Sequence, residues 1–181
     1  MKKAGCVEKK KYLYKILVAG NAGAGKTSLL RRYVEGKFDE STIMTVGVDF
    51  FIKEIEFDSK AECTLQLWDF GGQVRFRHLL ENYVMGARGA LLLTDLTREP
   101  VMDELVEWVN IVRLHDITLP IILVGTKYDL KGFIAVDDEQ MLNIMDTFNM
   151  MGYVKTSAKT GHNVEKAFRM MAKKLINRKN P

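Results

Sequence analysis

Cysteine is almost missing: Cys6 and Cys63 are the two in a chain of 181 residues. Cys6 sits in a polar N-terminal stretch and Cys63 in a strand-like pattern, so no disulfide framework is expected and a reducing cytoplasm is the simpler reading. Histidine is equally scarce. His78, His115 and His162 are far apart, which leaves no Cys/His cluster with metal-ligand spacing. No apolar run approaches the roughly 20 residues that a membrane-spanning helix needs. The opening MKKAGCVEKKKY carries charge without an apolar core, so no secretory signal is expected, nor a lipid on Cys6. Position 2 is Lys and the last residues are NRKNP, so neither myristoylation nor prenylation is expected. Internal repeats, low-complexity linkers and any pattern of a nucleic-acid-binding module are absent too.

What is present is an ordinary globular mixture, 47% hydrophobic and 28% charged, of a length that fits one domain. We expect a globular body over 13–177, a basic tail over 1–12 and a short basic tail over 178–181. The net charge of +4 gathers at Lys2, Lys3, Lys9, Lys10 and Lys11, then at Lys173, Lys174, Arg178 and Lys179. Solvated tails explain these residues. Weak peripheral contact with the anionic cytoplasmic face of a membrane is the most they would support, and a monomer is expected.

Apolar runs alternate with helical patterns. YKILVAG reads as a buried strand, VDFFIKEIEF and CTLQLWDF as an antiparallel hairpin, and GALLLTD and IILVGTK as central strands covered on both faces. A helix is expected from Val101 to His115. Asp137, with Gln140 three residues on, caps another. Val164, Ala167, Phe168, Met171 and Leu175 form one stripe of a last helix, and the methionines are read mostly as packing in such helices. The order predicts an α/β fold with a mostly parallel sheet, whose ligands bind beyond the C-terminal ends of the strands. GNAGAGKTS, DFGGQ, TKYD and TSAK all fall at such ends.

The first of these is the most specific. GNAGAGKTS, Gly20 to Ser28, lies between a strand and a helix and matches G-x-x-x-x-G-K-[ST] in full. Small residues around Gly23 and Gly25 let backbone N–H groups turn inward as an anion nest, and the helix that follows adds its own N–H groups and dipole. Lys26 places a charge between the outer phosphates, and Thr27 a hydroxyl where a magnesium ion would sit. A chance glycine-rich turn does not account for the strand, the helix and the Lys-Thr pair together.

GNAGAGKTS, TVGVDF, WDFGGQ, GTKYDL and TSAK, in this order, resemble the Ras superfamily of small GTPases, the Rab-like branch most closely, from about Tyr14 to Leu175. The resemblance implies a P-loop G domain with a six-stranded, mostly parallel sheet, one antiparallel edge strand and helices on both faces. It implies binding of GTP and GDP with Mg2+, slow hydrolysis, and a switch that recruits effectors in the GTP form. A GTPase-activating protein and an exchange factor are the partners it implies. Asp129 would read guanine, because a carboxylate can accept from the adjacent ring N–H and amine, a donor pair that adenine lacks. Lys127 would cover one face of the base with its stem, and Phe38 would stack against it. Ser157, Ala158 and Lys159 would complete the pocket. Thr126 stands where the motif commonly has Asn, and its hydroxyl can still tie this loop to the phosphate loop. Ser28, Thr45 and Gly72 join the nucleotide-binding set; Thr27, Thr45 and Asp69 form the metal set. Gln73, Lys26 and Thr45 are the catalytic set, with Gln73 orienting water. Two loops, roughly 37–47 and 70–85, would be held by the terminal phosphate and released on its loss.

Several positions depart from the family pattern: Ala22 near the terminal phosphate, Phe70 and Gly71 after Asp69, and Val74 after Gln73. Arg75 and Arg77 are read as solvated switch residues, not as a built-in arginine. Ala22 and Val74 favour a second reading, a GTP-binding scaffold with hydrolysis lost, against which Gln73 and Thr45 stand. A P-loop nucleotide kinase would need an arginine-rich lid and a second substrate pocket, and the sequence suggests neither.

Overall fold

The computed structural model describes residues 9–41, 45–58, 61–72 and 80–179. Six strands form one sheet: β1 (Lys10–Gly20), β2 (Val48–Asp58), β3 (Ala61–Phe70), β4 (Gly89–Asp95), β5 (Ile121–Thr126) and β6 (Gly152–Lys155). Their order is β2-β3-β1-β4-β5-β6. Among the described residues only the β2–β3 pair is antiparallel. The expected architecture is the observed one, with the antiparallel strand at an edge.

Burial alone does not set the strand limits. β1 is uniformly buried only from Ile16 onward. It nevertheless begins at Lys10, because its parallel pairing with β3 continues down to Lys10 opposite Ala61. Backbone hydrogen bonds, which a charge-rich run can make as readily as an apolar one, extend the strand beyond its apolar centre.

The sheet is covered on both faces. Along β1, Tyr14, Ile16 and Val18 join one core with residues of α1 (Lys26–Glu35) and α5 (Val164–Lys179). Leu17 and Ala19 join the opposite core, with α2 (Glu81–Val84), α3 (Met102–Val112) and α4 (Asp138–Thr147). This alternation follows from the two-residue period of a strand. All five residues of the α5 stripe are buried. Phe168 lies flat on the Tyr33 ring of α1, centroids 3.9 Å apart and planes within 5°. On the other face Trp108 of α3 is fully buried. Asp137 accepts from the Gln140 N–H while the Gln140 side chain accepts from the Asp137 N–H, so α4 begins with the capping box its sequence suggests.

The methionines divide. Met141 and Met171 are core residues of α4 and α5, but Met102 is exposed. It is the first residue of α3, ahead of the Leu105, Trp108, Val109 and Val112 stripe that faces the sheet. Among the described residues no helix is long and apolar enough to cross a membrane.

Candidate functional site

β1 stops at Gly20, and α1 starts six residues later at Lys26. The turn between them needs a left-handed backbone at Gly25, with φ of 83°, a conformation costly for any residue with a Cβ. Gly25 is the N-cap and offers no side chain to the free N–H groups of the first turn, which also contains no acidic residue. These donors and the helix dipole therefore face the loop without a competing anion. The Lys26 side chain, 5% exposed, reaches back across the loop and donates to the Gly20 and Asn21 carbonyls at 2.7 and 2.8 Å.

A cleft of about 390 Å³ opens over this turn. Its walls include Gly23, Gly25, Lys26, Thr27 and Ser28 from the loop and α1, then Phe38 and Thr45 from the segment before β2. Gly72 after β3, Thr126 at the end of β5 with Lys127 and Asp129 beyond it, and Ala158 and Lys159 after β6 line it as well. Two expected residues lie behind the wall. Ser157 is buried and donates its hydroxyl to Asp129 Oδ1 at 2.6 Å. Asp69 is fully buried at the end of β3. Gln73, Val74, Arg75 and Arg77 lie outside the described residues, as does part of each expected switch loop.

Asp69 organises a cluster of oxygen atoms. Its Oδ2 accepts from Thr27 at 2.5 Å and from Thr45 at 3.3 Å, and the two hydroxyls are 2.6 Å apart. Its Oδ1 is buried with no partner among the described residues. Burial pushes the carboxyl above its usual range, against the pull of the Thr27 hydroxyl and the Lys26 charge. A buried carboxylate oxygen left unpartnered beside two hydroxyls suits a hard divalent cation, which takes oxygen donors.

The two segments bearing Thr45 and Gly72 touch. Gly71 donates its N–H to the Gly47 carbonyl at 2.8 Å. A Cβ at position 71 would stand 2.8 Å from both the Thr45 and Gly47 carbonyl oxygens, closer than real Cβ contacts occur. Glycine at this departure from the family pattern thus permits the approach. Phe70, another departure, is fully buried in the core that includes Leu17 and Trp108. The expected second loop therefore overlaps the anchored last residue of β3.

At the far end of the cleft, Thr126 donates to the Ala24 carbonyl at 2.8 Å and lies 3.2 Å from that of Thr94. That hydroxyl joins β5 to the phosphate loop. Lys127 adopts a left-handed backbone, φ 59°, and its ammonium meets Asp95 Oδ2 at 2.7 Å. Burial raises the Asp95 pKa, but hydrogen bonds from Lys127 and Thr97 outweigh it and hold the carboxyl below its usual range.

Sequence reasoning missed Asp95, whose place at the end of β4 directly opposite Thr126 appears only with the strand register. It also missed Asn21, which accepts from Trp108 Nε1 at 2.8 Å and donates to Glu104, tying the phosphate loop to α3. Nothing local in either α3 residue signals that role. Leu130 and Glu40, which also line the cleft, carried no signal either.

Residues 15–177 match the family described as Ras family. The chain is 39% identical over 166 residues to "Ras-related protein Rab-1" of Theileria parva, covering 91% of this chain and 74% of that protein. It is 39% identical over 168 residues to "Ras-related protein Rab-4A" of Rattus norvegicus, covering 92% and 76%. To "Ras-related protein Rab-19" of the same species it is 33% identical over 168 residues, covering 92% and 77%.

Proposed function

The chain belongs to the Ras family, whose members are small GTP-binding regulatory GTPases, and we propose that it is a switch whose cleft discriminates both the base and the number of phosphates. One observation carries this reading: a phosphate loop, a carboxylate paired to Ser157, and Thr45 from a separate segment line or back a single cleft. Asp129 takes the two adjacent donors of guanine, with the Lys127 stem and Phe38 on the faces of the base and the Ala158 N–H on its 6-oxo group. Gly23, Gly25, Lys26 and Ser28 hold the phosphates.

Thr27, Thr45 and Asp69 would hold Mg2+, which when bound neutralises charge on the outer phosphates. Lys26 adds a fixed positive charge near the bond that breaks. Thr45 and Gly72 offer N–H groups to the terminal phosphate, and Gln73 orients the attacking water. Charge spread over the transferring group is stabilised mainly by such fixed donors, so a chain that supplies no arginine of its own hydrolyses slowly. The apolar surface around Val46, Phe50 and Trp68 serves effectors. Val46 and Phe50 are exposed, and Trp68 is half-buried between Phe50 and Tyr83.

A second reading keeps the binding and drops the hydrolysis. Ala22 favours it, since its exposed methyl-bearing position lines the cleft beside Gly72. Single-turnover phosphate release at saturating GTP and magnesium tests the two. Release over minutes to hours supports a cycling switch; none beyond the buffer rate leaves the scaffold.

A further inference from the structure

Arg32 lies in the last turn of α1, outside every motif of the sequence. A basic residue there is ordinarily a helix-end charge beside its own carbonyls. One of its bonds fits that description: Nη1 donates to the Gly36 carbonyl at 2.8 Å. The others do not. Nε donates to the Ala158 carbonyl at 2.5 Å, and Nη2 donates to the Lys159 carbonyl. One planar guanidinium thus holds three carbonyls from two segments that are distant in sequence.

Both segments lead into the lining of the cleft. Gly36 stands two residues ahead of Phe38, which lines it, and Ala158 and Lys159 line it themselves. Lys159 also bridges to Glu40 at 2.6 Å across the same seam, but both partners are exposed, and such a pair contributes little. The fork of Arg32 is directional and charge-assisted, so it fixes orientation as well as distance. Holding the Ala158 carbonyl constrains the backbone on both sides of that residue, including its N–H.

We propose that Arg32 is a positioning residue of the base pocket, which holds the Ala158 N–H toward the 6-oxo group of guanine and slows nucleotide release. This rests on the assignment of the cleft to guanine nucleotides. It separates two parts of recognition, because the Asp129 carboxylate is held by Ser157 and not by Arg32.

The test is nucleotide dissociation from wild type, Arg32→Lys and Arg32→Ala, each loaded with GDP, 6-thio-GDP or IDP. The thio compound replaces the 6-oxo group by a weaker and larger acceptor; IDP lacks the amine that Asp129 reads. Lysine keeps the charge and stem but cannot bond three carbonyls in a fork. Both variants should release GDP roughly tenfold faster or more. The preference for GDP over 6-thio-GDP should narrow, while that for GDP over IDP stays as in wild type. Unchanged release, or faster release with both preferences intact, overturns the proposal; the latter would make Arg32 a structural brace only. Should Arg32→Ala not fold, Arg32→Lys decides alone. Equal competition by GDP and ADP for the wild-type cleft would instead reject the guanine assignment, and the proposal with it.

Discussion

Asp129 and Asp95 are two carboxylates at the same end of the cleft, one lining it and one behind Lys127, and their surroundings differ. Asp129 lines the cleft, with one oxygen engaged by Ser157. Asp95 is 7% exposed and faces the Lys127 ammonium. Asp129→Asn should abolish preference for guanine, because the amide cannot accept from both guanine donors. Competition between GTP and ATP measures this, and retained guanine selectivity would contradict it. Asp95→Asn should lower stability by about 1 kcal/mol at neutral pH, the scale of a charge-assisted bond replaced by a neutral one. The pH dependence has a definite sign. A carboxyl held below its ordinary value contributes stability above that value and loses it as pH falls through the folded pKa. The gap between wild type and variant should therefore hold at neutral pH and close below pH 3.8, as urea unfolding across that range would show. Asp129 was legible because it belongs to a contiguous motif. Asp95 was not, since its significance comes from a neighbouring strand and appears only once the register is known.

At the scale of elements, the capping box of α4 was readable because every part of it lies within four residues. Asp137→Ala removes a bond to the Gln140 N–H and should destabilise the protein by about 1 kcal/mol. Thermal or urea denaturation would check this; no loss would mean that water replaces the cap. The apolar centres of the strands were equally plain, because burial on both faces imposes a continuous apolar run. The start of β1 was hidden: Lys10 and Lys11 pair with Ala61 and Glu62 through the backbone alone, and side-chain pattern does not record backbone pairing. Gly71 shows the same limit. In the sequence it is a departure from a family pattern; in the structure it is the point where the Thr45–Gly47 segment passes close to the end of β3.

The whole molecule joins these scales through its sheet. Parallel strands bring four separate loops to one edge, and two cores, one on each face, hold that edge in place. Thr45 reaches the Asp69 and Thr27 oxygens from one side, and Gly71 meets Gly47 from the other. The two segments are thus coupled to each other and to the cation-suited oxygens. Hydrogen exchange of the Thr45–Gly47 and Gly71–Gly72 amides, compared between the GDP and non-hydrolysable GTP forms with magnesium, measures that coupling. The account predicts strong protection at both places with the triphosphate and its joint loss with the diphosphate; equal protection in the two forms would contradict it.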